Sequence, residues 1–428
     1  MLSAPPRPLP PAFPGEIERC RLANGLELCL LRNRQAPIVS TALFYRAGCR
    51  DEPRGAGGLA HFLEHMMFKG SERFGPGEVD RRTQALGGTN NAFTSHDVTA
   101  YWFSFAADRW PEALAIEADR MHGLRLDAEE VDAERRVIVE EIAMYEDEPW
   151  DALELAVMAE LFAGHPYARP VLGTAEELAA AGRDELATFH RRYYRPDNAV
   201  LVVAGDLGAD ARARIEDALG GLAAGAGDRP IPPAPTPRPG MRRLDRHQGE
   251  IARLMLALPA PAACQAEHAE IRLLSGVLAD GRASRLQRVL VEEGQLCLGV
   301  GASVADSELT SHLAITAELL PDADPGEVEG RLLAELARLR AEPPGVEEIE
   351  RARNIFLSEW VFGVERIHQQ AVAAGVALAQ FDLDQPARLL ARVAELDADA
   401  LCAAAGRWLD PERAAVFGRC LPESEPAP

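Results

Sequence analysis

From Gly220 to Gly240 the chain passes six prolines and five glycines with hardly a large apolar residue, a composition that sustains neither a helix nor a strand. The stretch lies midway along 428 residues, a length that one ordinary hydrophobic core does not serve. It therefore predicts two domains of roughly 200 residues, covering 1–219 and 241–428, with 220–240 as the linker.

Both halves alternate strand and helix signals. In the first, Leu22 to Leu31 is broken by Asn24-Gly25, a hairpin signal, and Ile38 to Tyr45 reads as a further strand. A helical pattern begins at Gly57, and Asn91 to Phe105 is dense in Thr, Val and aromatics, as strands are. Helices follow at Trp110 to Gly123, Ala128 to Tyr145, Leu153 to Phe162 and Glu176 to Tyr193, and the half closes on Asn198 to Asp206, an apolar run of strand length ended by a turn. The second half offers strands at Ile251 to Leu258, Gly299 to Val304 and His312 to Glu318. Its helices are read at Ala266 to Leu278, Asp324 to Ala341 and Val346 to Ala379. The expectation is an α+β fold of two similar domains, each a mainly antiparallel sheet with helices packed on one face.

Chemistry concentrates in His61, Glu64 and His65. Histidines at i and i+4 stand about 40° apart around a helix, so both imidazoles can reach one cation. Glu64 lies beside that pair and can address an attacking water without being a ligand. The neighbours Phe62, Leu63, Met66, Met67 and Phe68 are apolar and imply a buried helix. Buried ring nitrogens need partners, and a metal ion provides one, whereas two solvated histidines on a surface helix would not carry such neighbours. A catalytic zinc takes three protein ligands. The stretch Glu134 to Glu141 offers candidates for the third, since these two glutamates are seven apart and share a helical face, while Glu140 points about 100° away.

A formal net charge of −22, with no basic run, argues against nucleic acid and anionic membranes as partners. Lys69 is the only lysine, which reads as the coding bias of a GC-rich bacterial genome rather than a physical requirement. No apolar run reaches the roughly 18 residues of a membrane span. The segment Met1 to Pro14 lacks the charged and apolar regions of a secretory signal, so the cytoplasm is expected. Seven scattered cysteines without a Cys-x-x-Cys pair predict buried thiols, and His96, His122, His165 and His190 lack metal-ligand spacing.

Taken together, several ordered anchors resemble the pitrilysin-type, or inverzincin, zinc metallopeptidases, and among them the shorter bacterial members similar to mitochondrial processing peptidase. The anchors are Gly57 to His65, Gly87 to Thr94, Glu134 to Glu141, Tyr145-x-Asp147-x-Pro149, His165-Pro166-Tyr167, and Tyr194-x-Pro196-x-Asn198 running to Gly205-Asp206. The resemblance implies the metalloenzyme fold shared by processing peptidases and LuxS. It implies one Zn2+ per chain held by His61, His65 and Glu141, because the family's third ligand follows the second histidine by about 76 residues. Glu64 becomes the general base, and Glu134 falls on a second acidic position that supports the site or contacts substrate. Asn91, Ala92, Phe93 and Thr94 match an edge strand that receives the peptide as an added strand, which tolerates many sequences.

One departure bears on partners. Counting from Ser284-Arg285-Leu286 puts Val291 where the family has an arginine and Leu298 where it has a tyrosine, a pair that binds the substrate carbonyl. The implied enzyme is an endopeptidase for short unfolded peptides whose same-fold partner, in a heterodimer, supplies the missing Arg and Tyr. A self-sufficient homodimer, a non-catalytic scaffold subunit, and a hydrolase or lyase acting on a small molecule are the alternatives.

Overall fold

The computed structural model describes residues 9–225 and 229–423. The first eight residues of the Met1 to Pro14 segment, and 226–228 of the linker stretch, lie outside them. Among the described residues no helix is long and apolar enough to cross a membrane.

Eleven strands form two sheets among these residues. The first holds β1 (Glu16–Arg21), β2 (Glu27–Arg32), β3 (Ile38–Tyr45), β4 (Thr89–Thr94), β5 (Thr99–Ala106) and β6 (Ala199–Gly205), in the order β1-β2-β6-β3-β5-β4. The second holds β7 (Gly240–His247), β8 (Arg253–Ala260), β9 (Cys297–Val304), β10 (Ser311–Leu319) and β11 (Ala414–Leu421), in the order β7-β11-β8-β10-β9. Only β2 with β6 and β7 with β11 run parallel, so both sheets are mainly antiparallel, as expected. No regular structure occupies the described linker residues 229–238.

Five helices of the first half matter for the site: α1 (Leu59–Met66), α2 (Glu78–Ala85), α3 (Pro111–Gly123), α4 (Ala128–Asp147) and α5 (Pro149–Leu161). The sequence predicts helices on one face of each sheet, and the structure adds a cover on the other. Strands β3 and β6 are buried on both sides because their residues are apolar in both phases of the pleat. One side packs on the helices of the first half. On the other lie Ala371, Ala374 and Leu378 of the helix Ile367–Gln380, contributed by the second half. In return α5 rests on β8 and β11 of the second sheet through Leu153, Val157 and Leu161. Gly375 permits the first of these crossings, since a Cβ there would stand 2.0 Å from Cε2 of Phe44.

That crossing also explains a difference from the sequence reading. The helix read from Val346 to Ala379 is broken into Val346–Gly363 and Ile367–Gln380, because the chain must leave its own half to reach the first sheet. Likewise the helix read from Glu176 to Tyr193 divides into Ala175–Ala180 and Arg183–Tyr193, with Gly182 extended between them.

A buried ionic cluster also joins the halves. Arg50, 4 % exposed, donates to Asp97 Oδ1 and to Glu308 Oε2, each at 2.7 Å. Asp97 Oδ1 also accepts from the Tyr167 hydroxyl at 2.6 Å, and its Oδ2 from the Glu308 backbone N–H at 3.0 Å. Asp97 belongs to the turn between β4 and β5, so the outer hairpin of the first sheet is anchored to the second half.

Candidate active site

Helix α1 starts where Gly58 takes a left-handed φ of 85° with its Cα against the carbonyl of Leu172, a place no side chain could occupy. With no side chain of its own at that position, the N-terminus is capped by the buried Glu52, whose carboxylate accepts from the N–H groups of Gly58 (3.1 Å) and Ala60 (2.8 Å). Burial pushes Glu52 up to about 8, against the pull of those two N–H groups. Two turns carry His61 and His65 on one face, with ring centroids 4.5 Å apart.

Helix α4 crosses α1 and separates the two glutamates left open by spacing. Glu141 Oε2 lies 3.8 Å from His61 Nε2 and 3.7 Å from His65 Nε2. The three ligand atoms lie within 4.8 Å of one another and form the only such cluster among the described residues. Bonds of 2.0–2.2 Å to a tetrahedral zinc set donors roughly 3.4 Å apart, so two imidazole nitrogens and a carboxylate at these spacings fit that ion with a small contraction. Glu134 faces elsewhere. Its Oε1 sits 2.8 Å from Nδ1 of His65 and its Oε2 2.5 Å from Nζ of Lys69. Glu140 is exposed.

Charge follows this arrangement. Burial raises the Glu134 carboxyl, but the hydrogen bonds from His65 and Lys69 outweigh it and leave the group below its ordinary value. For His65, burial acts downward and the Glu134 bond upward, with a net rise. His61 is held down to about 4 by burial and by the neighbouring His65. It is thus a neutral ring able to offer a lone pair at neutral pH. Its Nδ1 is buried without a hydrogen-bond partner.

Glu64 stands beside the three donors, raised by burial, and its Oε2 accepts from the Thr94 hydroxyl at 2.6 Å. Thr94 ends β4, an edge strand that among the described residues pairs only with β5. Ala92, Phe93 and Thr94 line a cavity of about 580 Å³ together with the two histidines, Glu64 and Glu141. Asn91 is exposed beside it, with its Oδ1 accepting from the N–H of Ala92 at 2.8 Å. Asp151 and Glu154 also line the cavity, both raised by burial and then by an acidic neighbour.

Two features escaped the sequence reading. In the sequence Thr94 reads as part of the edge strand, and nothing there signals its bond to Glu64, which joins residues 30 apart. Lys69 reads as composition alone, although its uniqueness in the chain is a signal. Of the other histidines, His96 lines the cavity with Nε2 3.2 Å from the carbonyl of Arg169, and His190 is buried against the carbonyl of Arg120. His165 caps a short turn by accepting from the Tyr167 N–H, and His122 is exposed. In the second half, Val291 lies in a π-helical turn (Gln287–Glu292), and Leu298 is exposed on the edge strand β9.

Sequence comparison matches residues 28–175 to insulinase (peptidase family M16) and residues 180–356 to the peptidase M16 inactive domain. An uncharacterized zinc protease of Mycobacterium bovis is 30% identical over 341 residues, 77% of either chain. One from Bacillus subtilis is 34% identical over 191 residues, 45% of this chain and 47% of that one. Among solved structures, a protease from Helicobacter pylori superposes with a TM-score of 0.90 at 22% identity, covering 95% of this chain and 100% of that chain. Pitrilysin superposes with a TM-score of 0.77 at 19% identity, and there 95% of this chain covers 45% of the other.

Proposed function

This chain belongs to the insulinase-type peptidase family M16, and on that footing we propose that it is a zinc-dependent endopeptidase acting on short unfolded peptides. His61, His65 and Glu141 are its metal ligands, Glu64 its general base and Glu134 the support of His65. One observation carries the proposal: three convergent donors and an adjacent carboxylate open into a cavity whose rim is an unpaired strand edge.

The peptide adds to β4 as an extended strand, which holds its backbone by main-chain hydrogen bonds and brings one carbonyl to the site. Zinc, when bound, acidifies water and polarises that carbonyl. Thr94 occupies Oε2 of Glu64, so Oε1 takes the proton from the attacking water. The carbonyl carbon gains the oxygen, the C–N bond breaks, and Glu64 delivers the proton to the leaving amine. The carboxyls of Asp151 and Glu154 in the cavity lining favour a basic side chain in the bound peptide.

We place the division between the halves at 220–240 and the protein in the cytoplasm. With Val291 and Leu298 at the positions described, we assign carbonyl stabilisation to an Arg and a Tyr from a same-fold partner chain. The test is cleavage of a fluorogenic unstructured peptide by the zinc-loaded chain and its Glu64→Gln variant, alone and with a candidate partner. Cleavage by the wild-type chain only in the partner's presence, abolished by Glu64→Gln, is the expected result. Glu64-dependent cleavage by the chain alone supports the homodimer, and cleavage that survives Glu64→Gln refutes the base.

A further inference from the structure

All but one of the chain's 45 lysine and arginine residues are arginine, and the exception, Lys69, lies three residues beyond α1 with its ammonium on Glu134. Coding bias accounts for the arginines. It does not account for a lysine kept at this one place.

The carboxylate of Glu134 is shared between two donors, one on each oxygen. His65 Nδ1 uses Oε1 and Lys69 Nζ uses Oε2. An acceptor at Nδ1 fixes that nitrogen as the protonated one, so the Nε2 lone pair is left facing Glu141. An ammonium is a point donor and engages one oxygen, whereas a guanidinium is a planar fork that engages both. This chain displays the second habit elsewhere. Arg120 takes both oxygens of Glu117, Arg285 both of Glu348, and Arg419 both of Asp245. An arginine at position 69 would draw both oxygens of Glu134 onto its planar fork; each oxygen can still accept a second bond, but the carboxylate would turn off the line on which Oε1 now meets His65 Nδ1.

We propose that Lys69 is a positioning residue for the metal site, required as lysine because single-point donation leaves the Glu134 carboxylate free to keep Oε1 aimed at His65. The inference rests on the reading of His61, His65 and Glu141 as ligands, and its test separates the two. Zinc dissociation constants are measured by chelator competition for the wild-type chain, Lys69→Arg, Lys69→Met and His61→Ala, alongside melting temperatures of the metal-free proteins. Lys69→Arg is expected to bind zinc 10- to 100-fold more weakly, the range for lost outer-sphere partners. Its metal-free melting temperature should stay close to wild type, and 15N-histidine NMR should show a mixed tautomer at His65. Should Lys69→Arg fold poorly, the folded wild-type protein can be guanidinated instead. Lys69 is its only side-chain amine, half-buried but reachable at 32% exposure, and the same loss of affinity is expected. Wild-type affinity in the arginine or guanidinated protein overturns the inference alone. A wild-type chain that binds no more zinc than His61→Ala overturns the ligand assignment and the inference with it.

Discussion

Thr94→Val replaces a hydroxyl by a methyl of nearly the same shape and removes one interaction, the 2.6 Å bond to Oε2 of Glu64. A hydrogen bond to an ionised group contributes about 1.5–3 kcal/mol. If that energy holds the base in its working orientation, kcat/KM falls by about 10- to 150-fold at 1.4 kcal/mol per decade. A second consequence has a definite sign. Burial raises the Glu64 carboxyl and the Thr94 bond opposes it, so removing the bond moves the acid limb of the kcat/KM profile to higher pH. Thr94→Ser keeps the hydroxyl and should restore both rate and profile. Zinc content should be unchanged in either variant, because Thr94 has no hydrogen bond to His61, His65 or Glu141. The assay is a pH–rate series on a fluorogenic peptide with zinc measured in parallel. Wild-type kcat/KM and an unmoved acid limb in Thr94→Val would refute a part for this bond in catalysis.

Two further predictions concern stability. Gly375→Ala, a change that ordinarily favours a helix, should instead destabilise by about 1–3 kcal/mol, because the new Cβ overlaps the buried Phe44 ring; denaturant unfolding that shows a gain would discount the close approach. His190, lowered to about 4 first by burial, stays neutral in the folded chain while the unfolded chain protonates near 6.5. The unfolded state then binds more protons between these values, so the contribution is intact above pH 6.5 and is lost as pH falls toward 4, up to ~3 kcal/mol at 1.36 kcal/mol per pKa unit. His190→Gln should flatten stability across that window, and an unchanged slope in the variant would remove His190 from the acid response.

What could be read in the sequence was what is periodic or contiguous. The histidine pair one helical turn apart, the 38–45 strand and the turn at Asn24-Gly25 each declare themselves within a few residues. So does the α4 face carrying Glu134 and Glu141, although spacing alone could not say which glutamate turns to the metal side. The polar strand β7, Gly240 to His247, was invisible because it lies at a sheet edge and has no fully buried residue. The break before Ile367 was hidden for another reason. Gly363 marks it, but a glycine also sits inside the next helix at Gly375, so this signal is ambiguous, and the remote Phe44 and the first sheet decide where the second segment goes.

The crossing helices and the Arg50 cluster change what the second half means for the site. Asp97 sits in the turn that closes β4 onto β5, and its carboxylate takes Arg50, Tyr167 and the Glu308 N–H together. Arg229, from the linker, donates to the Asp97 carbonyl at 2.8 Å and to Asp51 as well. Thr94, three residues before Asp97, is the residue that grips Glu64. The geometry between the base and the edge strand therefore depends on a turn held in part by Glu308 and Arg229, which lie outside the first half. A first half expressed alone would lose two of the groups on Asp97 and the helix over β3 and β6. The second half acts as a frame that keeps the edge strand β4 in register with Glu64.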